Sequence, residues 1–224
     1  HVIARKMDGM LISTAGHPSQ LPLFKELLQK DFPMVFFDRV PAELNVHKVV
    51  ADNFAGAFNA TEHLLLSGKK RIAHVTSLSM LSITQERLAG YKAALEKHHL
   101  PFDENLVRFC GFSSEEAFDT IVELIDKEHP DAIFTGSDRL ALQSYEAIKK
   151  LAIKVPEELA FIGFTNLNVA NLLSPSLTTV VQPSYEIGQM ATEILLDLID
   201  NKKKFSQYQA IKLPTELKIR ESSK

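Results

Sequence analysis

One cysteine, Cys110, stands in a chain of 224 residues, so no disulfide can form within it, and a small secreted fold stapled by bridges is excluded. No apolar run approaches the ~20 residues of a membrane span. The opening HVIARKMDGMLIS lacks the long apolar stretch of a signal peptide. An excess of charge is missing too. The 25 Lys and Arg stand against 28 Asp and Glu, a formal net charge of −3, so this segment offers no concentrated basic face to a nucleic-acid backbone. There is no internal repeat, no low-complexity tract and no Gly/Ser linker between domains. What remains is an ordinary globular composition, 45% hydrophobic and 24% charged, in a chain long enough to bury a core as one large domain or two small ones. The chain begins at His1 without Met and enters an apolar run almost at once, which reads as a fragment of a longer protein.

Catalytic patterns are equally scarce. There is no G-x-S-x-G, no G-x-x-x-x-G-K-[ST], no G-x-G-x-x-G and no H-E-x-x-H. His98 and His99 are adjacent at a helix end and share no helix face, so they read as surface or capping residues rather than one metal site. Cys110 has no evident base beside it and reads as a small buried hydrophobe. Asn59-Ala60-Thr61 fits a glycosylation sequon but falls inside a helix of a chain without a signal, and is taken as chance. No enzyme chemistry stands out, and no metal or cofactor is implied.

What is present is alternation. Short, continuously apolar runs at 10–13, 34–37, 72–76, 107–109, 132–135 and 161–164 predict strands buried on both faces. Between them, Leu88, Tyr91, Ala94 and Leu95 form one apolar helix face. Ala117, Ile121, Leu124 and Ile125 form another, and Leu140, Ala141, Ala147, Ile148 and Leu151 a third. Pro22 fits the first turn of a helix running to Lys30, and Gly68 closes a helix over 54–67 with Lys69, Lys70 and Arg71 beyond it. Strand–helix alternation means right-handed βαβ units and parallel sheets, an α/β fold. The stretch 209–220, broken by Pro214, reads as extended with an edge strand. The basic run 201–204 reads as a solvated loop.

Several stretches, in order, carry a resemblance. They are Met7-Asp8-Gly9-Met10-Leu11-Ile12-Ser13, Pro33-Met34-Val35-Phe36-Phe37-Asp38-Arg39, Val50-Ala51-Asp52-Asn53, Gly68-Lys69-Lys70-Arg71-Ile72-Ala73 and Arg87-Leu88-Ala89-Gly90-Tyr91. Further on come Ser137-Asp138, Val155-Pro156-Glu157-Glu158-Leu159, Ile162-Gly163-Phe164, Pro175-Ser176-Leu177-Thr178-Thr179-Val180, Gln182-Pro183 and the tail from Leu213 to Ser222. Together they resemble the effector-binding domain of lactose-repressor-type (LacI/GalR family) transcription regulators over essentially the whole chain.

The resemblance implies two Rossmann-like lobes with parallel sheets, joined by crossover strands as in type I periplasmic binding proteins, with a small ligand in the cleft. The first lobe would comprise 1–50 plus 183–203, and the second 51–182 plus 204–224. The first would be incomplete, its opening strand, first helix and second strand lying before His1, with a DNA-reading helix-turn-helix before those. It also implies a cytoplasmic, homodimeric regulator that binds operator DNA through that missing domain and responds to a small-molecule effector, a sugar or sugar derivative, with no membrane and no cofactor involved. The alternative is a periplasmic sugar-binding protein of a transport system; an α/β enzyme would need a base–nucleophile pair or metal cluster.

Candidate ligand residues fall at strand ends. Asp38 and Arg39 offer an acceptor and donors side by side, or a surface ion pair. Arg87, read as lying at a helix start after the loop 77–84, would be disfavoured there by the helix dipole unless it has a function or a salt bridge. Phe112, just past a strand, can stack on a sugar C–H face or join the core. Asp138 reads as an N-cap, with Ser137 nearer the ligand by family analogy. Gln182 fits a hinge or ligand role, Ser13 a ligand role or polar filler, and Asp52-Asn53 the first lobe crossing, capping a helix by default with ligand contact secondary. After Ile162-Gly163-Phe164 the family usually carries a ligand-binding Asp, where this chain has Thr165-Asn166. Either Asn166 substitutes, or the effector differs from common neutral sugars, being phosphorylated or acidic.

Overall fold

The computed structural model describes residues 7–15, 18–201 and 207–224. The elements in chain order are β1 (Met10–Ile12), α1 (Leu21–Gln29), β2 (Met34–Phe37), β3 (Lys48–Ala51), α2 (Asn53–Leu66), β4 (Ile72–Thr76), α3 (Ser82–Lys97) and β5 (Val107–Phe109). They continue with α4 (Ser114–Glu128), β6 (Ala132–Thr135), α5 (Asp138–Lys150), β7 (Ala160–Phe164), β8 (Thr178–Val181), α6 (Ser184–Asn201), β9 (Ala210–Leu213) and β10 (Glu216–Lys218). They fall into two compact units, one of residues 1–52, 80–83 and 183–213, the other of 53–79, 84–182 and 214–224.

The first unit holds a sheet in the order β1-β2-β3-β9 with every pairing parallel. The run Met34-Val35-Phe36 is apolar throughout because each face of the strand meets a different helix. Met34 and Phe36 point toward Phe24 and Leu27 of α1, while Val35 points toward Ile187, Ala191 and Ile194 of α6. Pro22 sits in the first turn of α1, where a missing amide hydrogen is harmless.

The second unit holds a sheet in the order β10-β8-β7-β6-β4-β5, parallel except for β10, which runs antiparallel to β8. Its strands also alternate between two cores. Ala73, Val75, Ile133 and Phe161 pack with α4 and α5, while Ile72, Phe134, Ile162 and Phe164 pack with α2 and α3. The helix faces read from the sequence are those that are buried, Tyr91 and Ala94 of α3 and Ile121 and Leu124 of α4 being fully enclosed. Gly68 closes α2 in the left-handed region, φ +92°, and the Lys69 amide returns to the Leu64 carbonyl at 3.1 Å. Gly90 lies where α3 crosses α2; a Cβ there would stand 2.3 Å from the Phe54 carbonyl oxygen.

The tail departs from the sequence expectation. The resemblance implies that it belongs to the second lobe from residue 204, but Pro214 divides it between the units. β9 lies parallel to β3 at the edge of the first sheet, Lys48 opposite Ala210, and only β10 joins the second. The first unit also reaches to Asp52 rather than residue 50. Of the basic run 201–204, residues 202–204 lie outside the described residues, as do the first six residues of the proposed first lobe.

Candidate functional site

In the second unit the parallel strands end together, and the residues just beyond them form a connected polar network. Arg87 is its hub. Its side chain is 3% exposed. Nε donates to Asn53 Oδ1 at 2.9 Å, one terminal nitrogen to the Gly136 carbonyl at 2.6 Å, and the other to Gln182 Oε1 at 3.4 Å. The guanidinium carbon stands 3.7 Å from the centre of the Phe164 ring, a cation–π contact that partly replaces lost hydration. Asn53 is held from its other side, donating to Glu86 Oε2 at 3.1 Å. The dipole reason offered for Arg87 does not hold. α3 begins at Ser82, so the residue sits in the second turn, beyond the reach of the terminal dipole, and residues 82–84 are helix rather than loop.

Ser137 caps α5. Its backbone is extended and its hydroxyl accepts from the Leu140 amide. The cap expected at Asp138 is therefore made one residue earlier, because Ser137 has the non-helical backbone a cap requires. This leaves the Asp138 carboxylate for other partners. Oδ1 accepts from the Thr165 hydroxyl and from the Asn166 amide at 3.3 Å. The Thr165 hydroxyl also accepts from the Leu167 amide at 3.1 Å, and Thr165 is fully buried. Asn166 is closed onto the backbone of Gln182 in both directions, Nδ2 donating to its carbonyl at 2.9 Å and Oδ1 accepting from its amide at 2.7 Å. That pair of bonds stands against Asn166 substituting for the missing Asp: both ends of its amide already have partners.

Phe112 is 65% exposed. It is not a core residue, the alternative its sequence left open. Its loop is held by Arg139, which donates to the carbonyls of Gly111 and Ser113. Sequence reasoning missed Arg139, because its partners are backbone carbonyls some 28 positions away. Two consecutive residues of α5 thus tether the loops on either side, Asp138 the one after β7 and Arg139 the one after β5.

In the first unit, Asp38 follows β2 with φ 56°, a left-handed conformation that Asp tolerates better than most residues. Its Oδ2 lies 3.5 Å from Arg39 Nε and accepts from the Ser13 hydroxyl at 3.5 Å. Both side chains of the pair remain about one third exposed. Arg39 Nε itself makes no hydrogen bond, so the contact is a loose ion pair. Asp52 immediately precedes α2 and lies 4.0 Å from Lys212 Nζ.

Two buried groups of the second unit, His74 within β4 and Cys110 just after β5, complete the electrostatics. His74 is fully buried, stacked between Tyr91 and Phe134 at ring distances of 5.3 and 4.8 Å. Desolvation, with a smaller contribution from the Arg87 charge, depresses its pKa to about 4. Burial pushes the Cys110 thiol up, against the pull of Arg139 and Arg108, which fits an inert buried thiol. His98 lies 3.2 Å from Glu62, and His99 adopts the left-handed region after α3. Among the described residues no cluster of His, Cys, Asp and Glu is placed to hold a metal ion, and no helix is long and apolar enough to cross a membrane.

The family model of the periplasmic binding protein-like domain matches residues 61–223. The ribose operon repressor of Halalkalibacterium halodurans is 34% identical over 220 residues, which make up 97% of this chain and 63% of the repressor. The chain thus spans less than two thirds of that relative's length. Among solved structures, the complex of the transcriptional regulator CelR with cellobiose is similar with a TM-score of 0.89 at 29% identity, covering 99% of this chain and 67% of that one. A LacI family transcriptional regulator from Enterococcus faecium with bound ribose is similar with a TM-score of 0.85 at 27% identity, covering 99% of this chain and 81% of that one.

Proposed function

The chain belongs to the periplasmic binding protein-like domain family, in its LacI-type regulator branch, and from this premise we propose that it is the effector-binding domain of a transcription regulator whose effector is a small sugar or sugar derivative. The observation that carries the proposal is the cluster beyond the strand ends of the second unit. A nearly enclosed guanidinium at Arg87 and an exposed carboxylate at Asp138 belong to one network through Gln182 and Asn166, and Phe112 presents an exposed aromatic face in the loop that Arg139 tethers. Ligands of parallel α/β folds bind beyond the carboxyl ends of the strands. Sugars need this chemistry: donors and acceptors for hydroxyls, and an aromatic face for the C–H side of the ring.

Arg87, Phe112, Ser137, Asp138 and Gln182 are the contact or positioning residues in this reading. Asp38, Arg39 and Ser13 are a second set of candidate contacts. Thr165, Asn166 and Asn53 hold the network. The relatives carry the names of repressors and regulators rather than transport proteins, which favours regulation over transport. The whole protein is proposed to act in the cytoplasm as a homodimer on operator DNA, without enzymatic turnover. Control then requires an effector that distinguishes two conformations by differential affinity, since equal affinity for both shifts nothing.

The test is a thermal-shift screen of the protein against sugars, sugar phosphates, sugar acids and nucleobases. A ligand at ~100 times its Kd adds about 2.7 kcal/mol to the native state, which for a domain of this size raises Tm by about 5–10 °C. A sugar or sugar derivative giving such a shift supports the proposal. A panel in which only nucleobases or nothing stabilises the protein overturns it.

A further inference from the structure

We propose that Asp138 supplies the acidic ligand contact of this site, with Thr165 acting as the residue that positions it, so that the site selects uncharged, hydroxyl-rich effectors over phosphorylated or acidic ones. This rests on the effector-binding reading above.

The sequence poses the problem: the strand ending in Ile162-Gly163-Phe164 is followed by two neutral residues, Thr165 and Asn166. The bonds around it supply an answer. Thr165 cannot serve a ligand directly, being fully buried and already donating to Asp138 and accepting from the Leu167 amide. Asn166 has both ends of its amide on the Gln182 backbone. Asp138 differs from both. Ser137 has already capped α5, so the carboxylate is not needed for its own helix. It belongs to an exposed residue. Both protein donors that reach it fall on Oδ1, and no cation pairs with it among the described residues. Two donors on one oxygen fix the orientation of the carboxylate, and neither of them falls on Oδ2.

A carboxylate held this way is an acceptor only. It takes hydroxyl hydrogens in charge-assisted bonds and repels phosphate and carboxylate groups. The acidic contact at these strand ends is thus assigned to the first residue of α5 and not to the residues after β7. A charged effector is no longer needed to explain the threonine.

The experiment is calorimetric titration of the intact protein with D-ribose, cellobiose and other neutral sugars, each paired with a phosphate ester or sugar acid, for wild type and for Asp138→Asn, Thr165→Val and Thr165→Ser. Melting of each unliganded variant identifies any that fails to fold. The expected result is that a neutral sugar binds more tightly than its charged counterpart. Asp138→Asn then weakens it about tenfold or more, the loss of one charge-assisted bond. Thr165→Val weakens it less, Thr165→Ser restores it, and adding Thr165→Val to Asp138→Asn costs nothing further, because Thr165 acts through Asp138. A sugar bound equally by wild type and a folded Asp138→Asn, or a preference for the phosphorylated or acidic form, overturns this assignment and leaves the effector-domain reading standing. The absence of any sugar or sugar derivative among the ligands overturns both.

Discussion

Replacing Gly90 with alanine sets two known effects against each other. In a helix interior, alanine is favoured over glycine by roughly 0.5–1 kcal/mol. The added carbon would stand 2.3 Å from the Phe54 carbonyl oxygen, 2.9 Å from the Phe58 amide nitrogen and 3.0 Å from Ala57 Cβ. Two of these three are backbone atoms of α2, so no side-chain rotation relieves the contact and the helices must move apart. Overpacking of this kind costs about 1–3 kcal/mol, and the absence of any soft neighbour points to the upper half. The net expectation is a loss of about 1–2 kcal/mol, read as a fall in Tm of roughly 2–8 °C. Arg87 lies one turn earlier on α3, so the displacement also loosens its bonds to Asn53 and Gly136 and lowers effector affinity. Gly188, on α6 with nothing within 4 Å of its Cβ position, is the matched control: Gly188→Ala should raise stability by about 0.5–1 kcal/mol. Thermal melts of the two variants decide the matter. A Gly90→Ala protein as stable as wild type would refute the close-packed crossing.

Two further substitutions probe the buried polar groups. His74 has a folded pKa of about 4 against an ordinary value of 6.5, so the folded state binds fewer protons than the unfolded one. Its stabilisation is present above about pH 6.5 and is lost as pH falls toward 4, a difference of about 3 kcal/mol. His74→Phe, which keeps a ring between Tyr91 and Phe134, should flatten stability across that window in urea titrations at stepped pH; an unchanged pH slope would show that His74 is not the titrating group. Arg87→Met leaves the Asn53 Oδ1 and the Gly136 carbonyl without this donor and should cost about 2–4 kcal/mol. A loss under 1 kcal/mol would assign Arg87 to ligand binding alone.

The local signals in the sequence carried most of the fold, and its long-range pairings were the part they could not carry. Runs such as 34–37 and 132–135 were legible because strands buried on both faces are continuously apolar, and the structure places β2 and β6 on those residues. β3 is of the same length but alternates half-buried with buried positions, a weak signal in four residues. The division of the tail was invisible for a different reason: β9 pairs with β3 across some 160 residues, and nothing local to Pro214 announces it. The site shows the same limit. Arg87 and Phe112 could be selected by type and place, but the dipole reason for Arg87 was wrong by a turn. Ser137 and Asp138 are both good caps, and only the backbone of Ser137 decides between them. The bond from Thr165 to Asp138, 27 positions apart, belongs to the way β6 and β7 lie side by side in the sheet.

The effector-binding claim is tested most directly at Phe112. The side chain is 65% exposed, so Phe112→Ala should leave Tm within the narrow range of ordinary surface substitutions, roughly ±0.5 kcal/mol. Its loss as a stacking face should weaken a bound sugar about two- to tenfold, given about 0.5–1.5 kcal/mol for aromatic contacts beyond area burial. Calorimetric titration of wild type and Phe112→Ala with the neutral sugars is therefore the decisive measurement. The account predicts saturable binding by wild type and a clear loss in the variant at unchanged stability. Equal affinity in both proteins, or no sugar bound by either, would contradict it.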